Sequence, residues 1–565
     1  MTLRQDEGTD SWPLRPWIMA AICAVGGLIF HFLTDHLYPD TVPPLRQAAA
    51  TFVAIATVSF VMTVEQRRWL WSVAFAVGWG AMVALVGWFT AGYNSNPTIF
   101  EWPFLSGLFA VLLAAPLFQT IRDEGRGYLP YAKLHGHAWT DAVIGAAALA
   151  FTGISFALAW LIAGLFDLIG IDLVRELLKE DWFGWLLGGF AFGAAVGLLR
   201  ERDALVATLQ RLVMVVMSVL APVLAAAFLL FLLSIPFTGL GKLWASNIPA
   251  TPMMLLAGAG AVLLANAVIG NGADDRATSR VLRVSAQILV LAVLPLAIIA
   301  ALSLGQRIGQ HGLTPERMWG VIAVGVAIAY GLGGWWVVGK GRDSFDDRLR
   351  PLQTRLALGL CGLALFLALP ILDFGLMSAA SQMNRLTNGK VSPAEFDWRA
   401  MAFDFGAAGR ARLKMVANGG PPDQRRLATA ALASKNRYEV EQDVQKTASA
   451  ANLDTRLRVV PDGTALPADL RNSIAATRYC RVGPCVVTLV DDHRAVIAGQ
   501  LIKQDTVESA LLERDAKGVW MQDIHSQYIP KPPVRPDVAT APVELRKVER
   551  KQLFIDDTPI GNAFE

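Results

Sequence analysis

The stretch VLRVSAQILVLAVLPLAIIAALSL, residues 281–304, decides the fold of this chain. Arg283 is the one charged residue in it, and most of the others are aliphatic. A run of about 18 or more apolar residues is long enough to cross the hydrocarbon core of a bilayer as an α-helix. Because the bilayer offers no water to backbone groups, such a run must form its hydrogen bonds internally. The stretch therefore predicts a membrane-spanning helix.

Ten further runs of this kind come before residue 375, and the composition of the whole chain agrees with them. Hydrophobic residues make up 54% of the 565 residues, charged residues make up 17%, and the mean hydropathy is +0.42. A soluble protein carries about 25% charged residues, so these values exclude a soluble globular enzyme and a disordered chain. The apolar runs make the lipid bilayer the predicted partner. The net charge is only +3, so no nucleic acid is expected as a partner. The eleven predicted spans lie near residues 17–37, 45–64, 69–91, 102–121, 141–166, 182–199, 208–235, 251–270, 281–304, 317–338 and 355–374.

The composition changes after residue 374, where the chain acquires the charge balance of a soluble domain. The remaining residues contain 26 Lys and Arg against 23 Asp and Glu. Apolar runs around short polar turns predict antiparallel strands in the last part of the chain. We therefore predict an all-α polytopic membrane bundle of about eleven spans, followed by a small α+β soluble carboxy-terminal domain. The predicted segments are a cytoplasmic amino-terminal tail at 1–16, a transmembrane domain at 17–374, a helical extramembrane segment at 375–450 and an extracytoplasmic β-rich domain at 451–565.

The distribution of positive charge predicts the orientation in the membrane. With eleven spans, the loops on one side carry 16 Lys and Arg, and the loops on the other side carry 6. Lys and Arg are retained on the cytoplasmic side of short loops, and Arg4 and Arg15 before the first span belong to the richer side. We therefore expect a bacterial inner-membrane protein with a cytoplasmic amino terminus and a periplasmic carboxy-terminal domain.

Two cysteines of the carboxy-terminal domain, Cys480 and Cys485, have four residues between them. Disulfides persist in oxidising compartments such as the bacterial periplasm. With the orientation given above, we predict a small disulfide loop. The alternative is a pair of reduced and partly buried thiols.

The first candidate site is a polar cluster at the end of the first span, formed by His31, Asp35, His36 and Asp40. His31 and Asp35 are four residues apart and share one face of a helix. Imidazole and carboxylate groups bind divalent cations or relay protons. The alternative is that these residues are simply solvated at the membrane surface. The sequence identifies no further ligand, so we predict neither a metal nor a cofactor.

The second candidate is a helix break after the seventh span. Pro236, Gly239 and Gly241 interrupt the helical pattern, and Trp244 is a residue type that favours the membrane interface. Broken helices at membrane depth line the binding sites of transporters. The alternative is an ordinary turn that leaves the span.

The third candidate lies at the outer surface, where positive charge is scarce. Arg317 follows a helix start, and Asp373, Gln382 and Arg385 follow the last span. Arg317 either belongs simply to the start of the tenth span, or pairs with Asp373 or Glu316, or contacts lipid head groups. Asp373, Gln382 and Arg385 either form a site with neighbouring loops or cap the helix as it leaves the membrane.

Several motifs of the chain occur together in one known family. They are PFTGLGKLW at 236–244, GLTPER at 312–317, PILD at 370–373, SQMNR at 381–385 and FDWRAMAFDFG at 396–406. In this combination the chain resembles the bacterial multi-pass membrane family with domain of unknown function 4153. The resemblance covers the spans and extends to about residue 415, although His311 stands where Tyr is more frequent. Since that family has no established activity, the resemblance implies the architecture and transfers no catalytic residue.

Three functions are compatible with these features. The first is transport, or a role beside other envelope proteins, because eleven spans can enclose a cavity and the sequence has no Walker A, Gly-x-Ser-x-Gly, His-Glu-x-x-His or Cys-x-x-Cys motif. That absence favours a protein that is not an enzyme. The second is a membrane-embedded transferase that uses a lipid-linked donor, with Asp35 and Asp40 in the first external loop. The third is a sensor whose periplasmic domain binds a ligand.

Overall fold

The computed structural model divides the chain into two compact units. The first unit contains Met1–Arg385 and Asp404–Ala408, and the second contains Leu386–Phe403 and Gly409–Glu565. The structure describes residues 12–35, 43–90, 97–125, 127–241, 244, 249–272, 275, 277–341, 344–440, 453–477, 479–480, 484–500, 507–515, 518–522, 538, 542–543, 551–555 and 558–564.

The first unit is built from long helices, and eleven of those in the described ranges are long and apolar enough to cross a membrane. This confirms the predicted all-α polytopic bundle. Two shorter helices, of 7 and 14 residues, complete the set. The helices are α1 Arg15–Thr34, α2 Pro44–Thr63, α3 Trp69–Thr90, α4 Pro97–Glu124, α5 Tyr131–Asp167, α6 Leu173–Lys179, α7 Asp181–Arg200, α8 Asp203–Thr238, α9 Ala250–Ile269, α10 Arg280–His311, α11 Pro315–Gly341, α12 Phe345–Ala368 and α13 Phe374–Thr387.

Glycines bring α7 into direct contact with the backbone of α1. Gly189, Gly193 and Gly197 are spaced by four residues and therefore share one face of the helix. A Cβ atom at Gly193 would lie 2.2 Å from the carbonyl oxygen of Met19, and one at Gly189 would lie 2.3 Å from that of Cys23. Small residues at such spacing allow two membrane helices to approach closely and gain van der Waals contact.

Helix α10, which contains the stretch that decided the fold, lies at the centre of the second half of the membrane unit. It contacts α8, α9 and α11, and Leu289, Leu296 and Ala300 on it are almost fully buried. Its apolar character on every side is therefore explained by protein contacts as well as by lipid.

Five helices of the first half follow one another in a ring. Helix α1 packs against α2 and α7, α5 packs against α7 and α4, and α2 contacts α4. Helix α3 packs against α2 and α4. The ring encloses the cavity described below.

The second unit holds further helices and a five-stranded sheet with the order β1-β2-β3-β4-β5, in which β1 and β2 are parallel and the other pairs are antiparallel. Leu470 and Ile474 pack against Val487 and Ile497 of the sheet. The predicted small α+β region is confirmed. Its elements are a π-helix Ala400–Asp404, α14 Gly406–Gly419, α15 Pro422–Ala433, α16 Leu453–Arg456, β1 Leu457–Val460, α17 Ala468–Ala476, β2 Cys485–Asp491, β3 Arg494–Gln500, β4 Val507–Arg514, β5 Trp520–Gln522, β6 Lys551–Ile555 and β7 Thr558–Phe564.

A disulfide bond joins Cys480 to Cys485, the first residue of β2. Both residues are fully buried in the core of the second unit, beside Tyr479. The bond therefore links Cys480 covalently to the start of β2 within this core.

Candidate functional site

A large cavity of the membrane unit lies inside the ring formed by α1, α2, α4, α5 and α7. Its volume is about 1120 Å³, which is larger than a typical small-molecule pocket of roughly 300–1,000 Å³. All five helices contribute side chains to the wall.

The length of the cavity is comparable with the thickness of a bilayer. On α5, its lining residues run from Ala138 to Phe156 and include Gly145, Leu149 and Thr152. Their spacing of three, four or seven residues places them on one face of the helix. At 1.5 Å per residue, this face is about 27 Å long, close to the hydrocarbon thickness of about 30 Å.

The wall of the cavity is mostly apolar, and its charged side chains are all acidic. Asp141 lies toward one end, whereas Glu180 and Asp181, at the start of α7, lie toward the other. The lining contains no Lys, Arg or His among the described residues. The hydroxyl of Thr152 donates to the carbonyl of Ala148 in its own helix at 2.9 Å, so it is already satisfied.

Asp141 is the carboxylate most deeply placed in the wall. Its side chain is 14% exposed, and Nε2 of Gln119 donates to Oδ2 at 2.5 Å. A guanidinium nitrogen of Arg200 lies 3.6 Å from Oδ1, too far for a hydrogen bond. Within the described part of the chain, Oδ1 is buried without a hydrogen-bond partner. An ionisable side chain in a helix that is apolar enough to span a membrane is a functional candidate by default.

Three arginines lie at this end of the ring with side chains 12%, 1% and 9% exposed, and we call Arg15, Arg122 and Arg200 the arginine layer. Arg15 donates to the carbonyl of Val64 at 2.8 Å, and Arg200 donates to the same oxygen at 3.3 Å. The arginine layer thereby fastens α1 and α7 to the end of α2.

Carboxylates neutralise the arginine layer. Arg122 forms ion pairs with Glu65 at 2.5 Å and with Asp123 at 2.8 Å. Arg15 lies 3.6 Å from Glu201. The cations are therefore held by protein groups, and Asp141 is the member of this network that reaches the cavity.

The predicted polar cluster at the end of α1 is only partly described. His31 is buried, and Asp35 is the residue that follows the helix, where Arg46 donates to its carbonyl at 2.9 Å. His36 and Asp40 lie outside the described residues. No metal-binding group of three or more His, Cys, Asp or Glu occurs in the part that the structure describes.

The predicted helix break lies at the end of α8. Pro236 is still inside the helix, which ends at Thr238, and Gly239 follows with a φ of +67°. Gly241 comes two residues later, and the indole nitrogen of Trp244 donates to the hydroxyl of Ser303 at 3.1 Å. None of these residues lines the cavity of the ring.

Two of the predicted outer-surface residues are brought together at the end of α10. Gln382 donates to the carbonyls of His311 and Leu313 at 2.8 and 3.0 Å. Arg385 donates to the carbonyl of Gln310 at 2.6 Å. These side chains satisfy carbonyls that a helix end leaves without partners.

The other two predicted residues act on their own helices. Arg317 donates to the carbonyl of Gly312 at 2.5 Å. Oδ1 of Asp373 accepts the backbone N–H of Leu376 at 2.8 Å, at the start of α13. All four outer-surface residues therefore make structural bonds.

The sequence-based candidates do not include Asp141, Gln119 or Arg200. The signal that marks them is an acid, an amide and a cation at the ends of three apolar spans. Their meeting point depends on how α4, α5 and α7 pack, which no spacing along the chain encodes.

The comparisons with known proteins agree with the architecture. The family model described as Domain of unknown function (DUF4153) matches residues 50–409. The matched region contains Gln119, Asp141 and Arg200, and it ends before the five-stranded sheet. No curated protein and no solved structure matches the chain.

Proposed function

We propose a function from the geometry of this chain, because it belongs to the family of the Domain of unknown function (DUF4153), whose description assigns no activity. The protein is a transport protein that carries an amphipathic, lipid-like molecule through the cavity of the ring. The observation that carries the proposal is an apolar cavity of about 1120 Å³ inside a membrane-spanning unit. An apolar chain fits its wall, and a polar head group fits its acidic ends. Asp35, the described residue on which the transferase alternative depends, does not line this cavity.

The proposal includes a place and an orientation. The protein lies in the bacterial inner membrane with its amino terminus in the cytoplasm and its second unit in the periplasm. The asymmetry of 16 against 6 positive charges supports this orientation. The disulfide between Cys480 and Cys485 also supports it, because such bonds persist in oxidising compartments.

A cavity-filling variant tests the transport proposal. A Cβ atom at Gly145 would meet no atom within 4 Å, and Gly145 lines the cavity. Gly145→Phe should therefore fold normally and place its ring in the transport path. We expect it to lower transport to the level of protein-free vesicles.

The measurement uses purified protein in phosphatidylcholine vesicles that contain phosphatidylethanolamine with a fluorescent NBD group on one acyl chain. Dithionite bleaches the probe in the outer leaflet, and transport is read as the rate at which inner-leaflet probe becomes accessible. The matched control is Gly153→Phe on the same helix, because Gly153 also has open space around it but does not line the cavity. Equal rates for both variants and the unaltered protein would contradict the proposal.

A further inference from the structure

We infer that the transported molecule carries a protonated amine as its head group, and that Asp141 binds this ammonium inside the cavity. The inference rests on the proposed function and names its substrate class. It starts from the charges on the cavity wall, which are negative toward both ends.

The charged side chains that line the cavity are acidic within the described ranges. Asp141 lines the wall at the end next to the arginine layer, and Glu180 with Asp181 lines the opposite end. No cationic side chain lines the cavity within the described ranges. The guanidinium of Arg200, which does not line the wall, lies 3.6 Å from Asp141 and offsets part of this negative charge. In apolar surroundings, carboxylates attract a cation and repel an anion more strongly than they do in water. The cavity is therefore complementary to a positive head group.

The carboxylate of Asp141 accepts fewer hydrogen bonds than it has room for. An ionised carboxylate has room for about four hydrogen bonds, and Asp141 accepts one, from Gln119. Its Oδ1 atom is buried with no hydrogen-bond partner among the described residues. A buried acceptor left unsatisfied carries a free-energy penalty, and an N–H donor from a head group would remove it. A primary ammonium supplies both the charge and the donors.

Other polar groups near the cavity already have partners in the protein, so they are not the main head-group site. The hydroxyl of Thr152 already donates within its own helix. Arg122 and Arg15 are engaged by carboxylates and backbone carbonyls away from the wall. Arg200 donates to the carbonyl of Val64 and lies 3.6 Å from Oδ1 of Asp141, so it forms an ion pair with this carboxylate but no hydrogen bond. Asp141 is thus the described wall residue that combines burial, a negative charge and an acceptor without a hydrogen bond.

The test compares three phospholipids, each labelled with NBD on one chain, in the vesicle assay described above. Phosphatidylethanolamine has a primary ammonium, phosphatidylcholine has a cation without N–H donors, and phosphatidylglycerol has hydroxyls but no cation. We expect the unaltered protein to move phosphatidylethanolamine at least about tenfold faster than the other two, since a charge-assisted hydrogen bond is worth roughly that factor or more.

The decisive variant is Asp141→Asn, which keeps the size of the side chain. Because Gln119 donates to Oδ2, the amide oxygen of the new side chain would take that position and its NH₂ group would take the position of Oδ1. The variant should therefore move phosphatidylethanolamine about tenfold more slowly, at the rate of phosphatidylcholine. Thr152→Val, which removes a hydroxyl from the same wall, should leave the preference unchanged.

A second variant protects the test against a folding defect at Asp141. Glu180→Gln combined with Asp181→Asn neutralises the other end of the cavity and should also lower the preference for phosphatidylethanolamine. If the unaltered protein moves all three lipids equally, or if Asp141→Asn retains the preference, the inference is wrong while the transport proposal stands. If the protein moves none of them, the transport proposal itself fails.

Discussion

At the residue scale, a few side chains of α13 complete the carboxyl end of α10. The last carbonyls of a helix have no partner within it. Gln382 and Arg385 supply donors to four carbonyls at this end, from Gly309 to Leu313. Gly312, with a φ of +75°, gives the backbone a left-handed conformation where α10 ends. A Cβ atom there would lie 2.6 Å from Cδ of Arg385, so the glycine also leaves space for the Arg385 side chain.

Replacement of Gln382 by Ala should therefore destabilise the membrane unit. It removes two hydrogen bonds to the carbonyls of His311 and Leu313, and each is worth about 0.5–1.5 kcal/mol. We expect a free energy of unfolding lower by about 1–3 kcal/mol, measured as a lower thermal midpoint in detergent. Gln306→Ala is the control, because Gln306 is exposed near the end of the same helix. A thermal midpoint for Gln382→Ala equal to that of the control would refute the stabilising role given to Gln382.

Residue types alone predicted where polar groups cluster, and they left open whether these groups form a site or cap helix ends. Arg317, Asp373, Gln382 and Arg385 stand out in the sequence because polar groups are scarce there, and all four bond to helix ends. Asp141 is harder to single out, because it lies at the start of an apolar run where a charged residue is ordinary. Its significance comes from Gln119 and the cavity, and these are brought near it by packing.

At the scale of elements, the contact between α1 and α7 depends on glycine. Gly193 faces the carbonyl oxygen of Met19 so closely that no side chain fits between the helices. Gly193→Ala should force α1 and α7 apart, and overpacking of this kind destabilises a protein by about 1–3 kcal/mol. We expect a lower thermal midpoint and a greater tendency to aggregate in detergent.

The comparison for this prediction is Gly164→Ala on α5, where an added Cβ meets nothing within 4 Å. Alanine favours the helix over glycine by about 0.8–1.0 kcal/mol, so this variant should be as stable as the unaltered protein or slightly more stable. Should Gly193→Ala match it, close packing of α1 on α7 is not needed for stability.

The sequence predicted the number of spans correctly because length and apolarity are properties of each segment by itself. It was less accurate for the polar ends of helices. Helix α5 begins at Tyr131, well before the predicted start near residue 141. The extra turns contain His135, whose ring bonds to Asn271 and accepts the indole N–H of Trp139 at 3.0 Å. A partner on a distant segment satisfies this polar turn, and the local sequence does not indicate that partner.

At the scale of the whole molecule, eleven helices are long and apolar enough to span a membrane, and from this odd number we expect the two ends of the chain on opposite sides. A periplasm-active reporter such as alkaline phosphatase, fused after residue 565, should be active, and the same reporter fused after Gly341 should be inactive. The physical reason is the excess of Lys and Arg on the side that contains the Gly341 end of α11. Enzyme activity in intact cells, normalised to the amount of fusion protein, is the measurement. The reverse pattern would mean that the orientation is inverted.

The ring of five helices has a consequence for biosynthesis. Helix α1 is made first, but its glycine-facing partner α7 is complete only when the ribosome has reached Arg200. Until then, the nascent chain has one wall of its future cavity open to lipid. We therefore expect an insertase or a chaperone of the translocation machinery to shelter α1 during elongation, and chains truncated before α7 to be degraded.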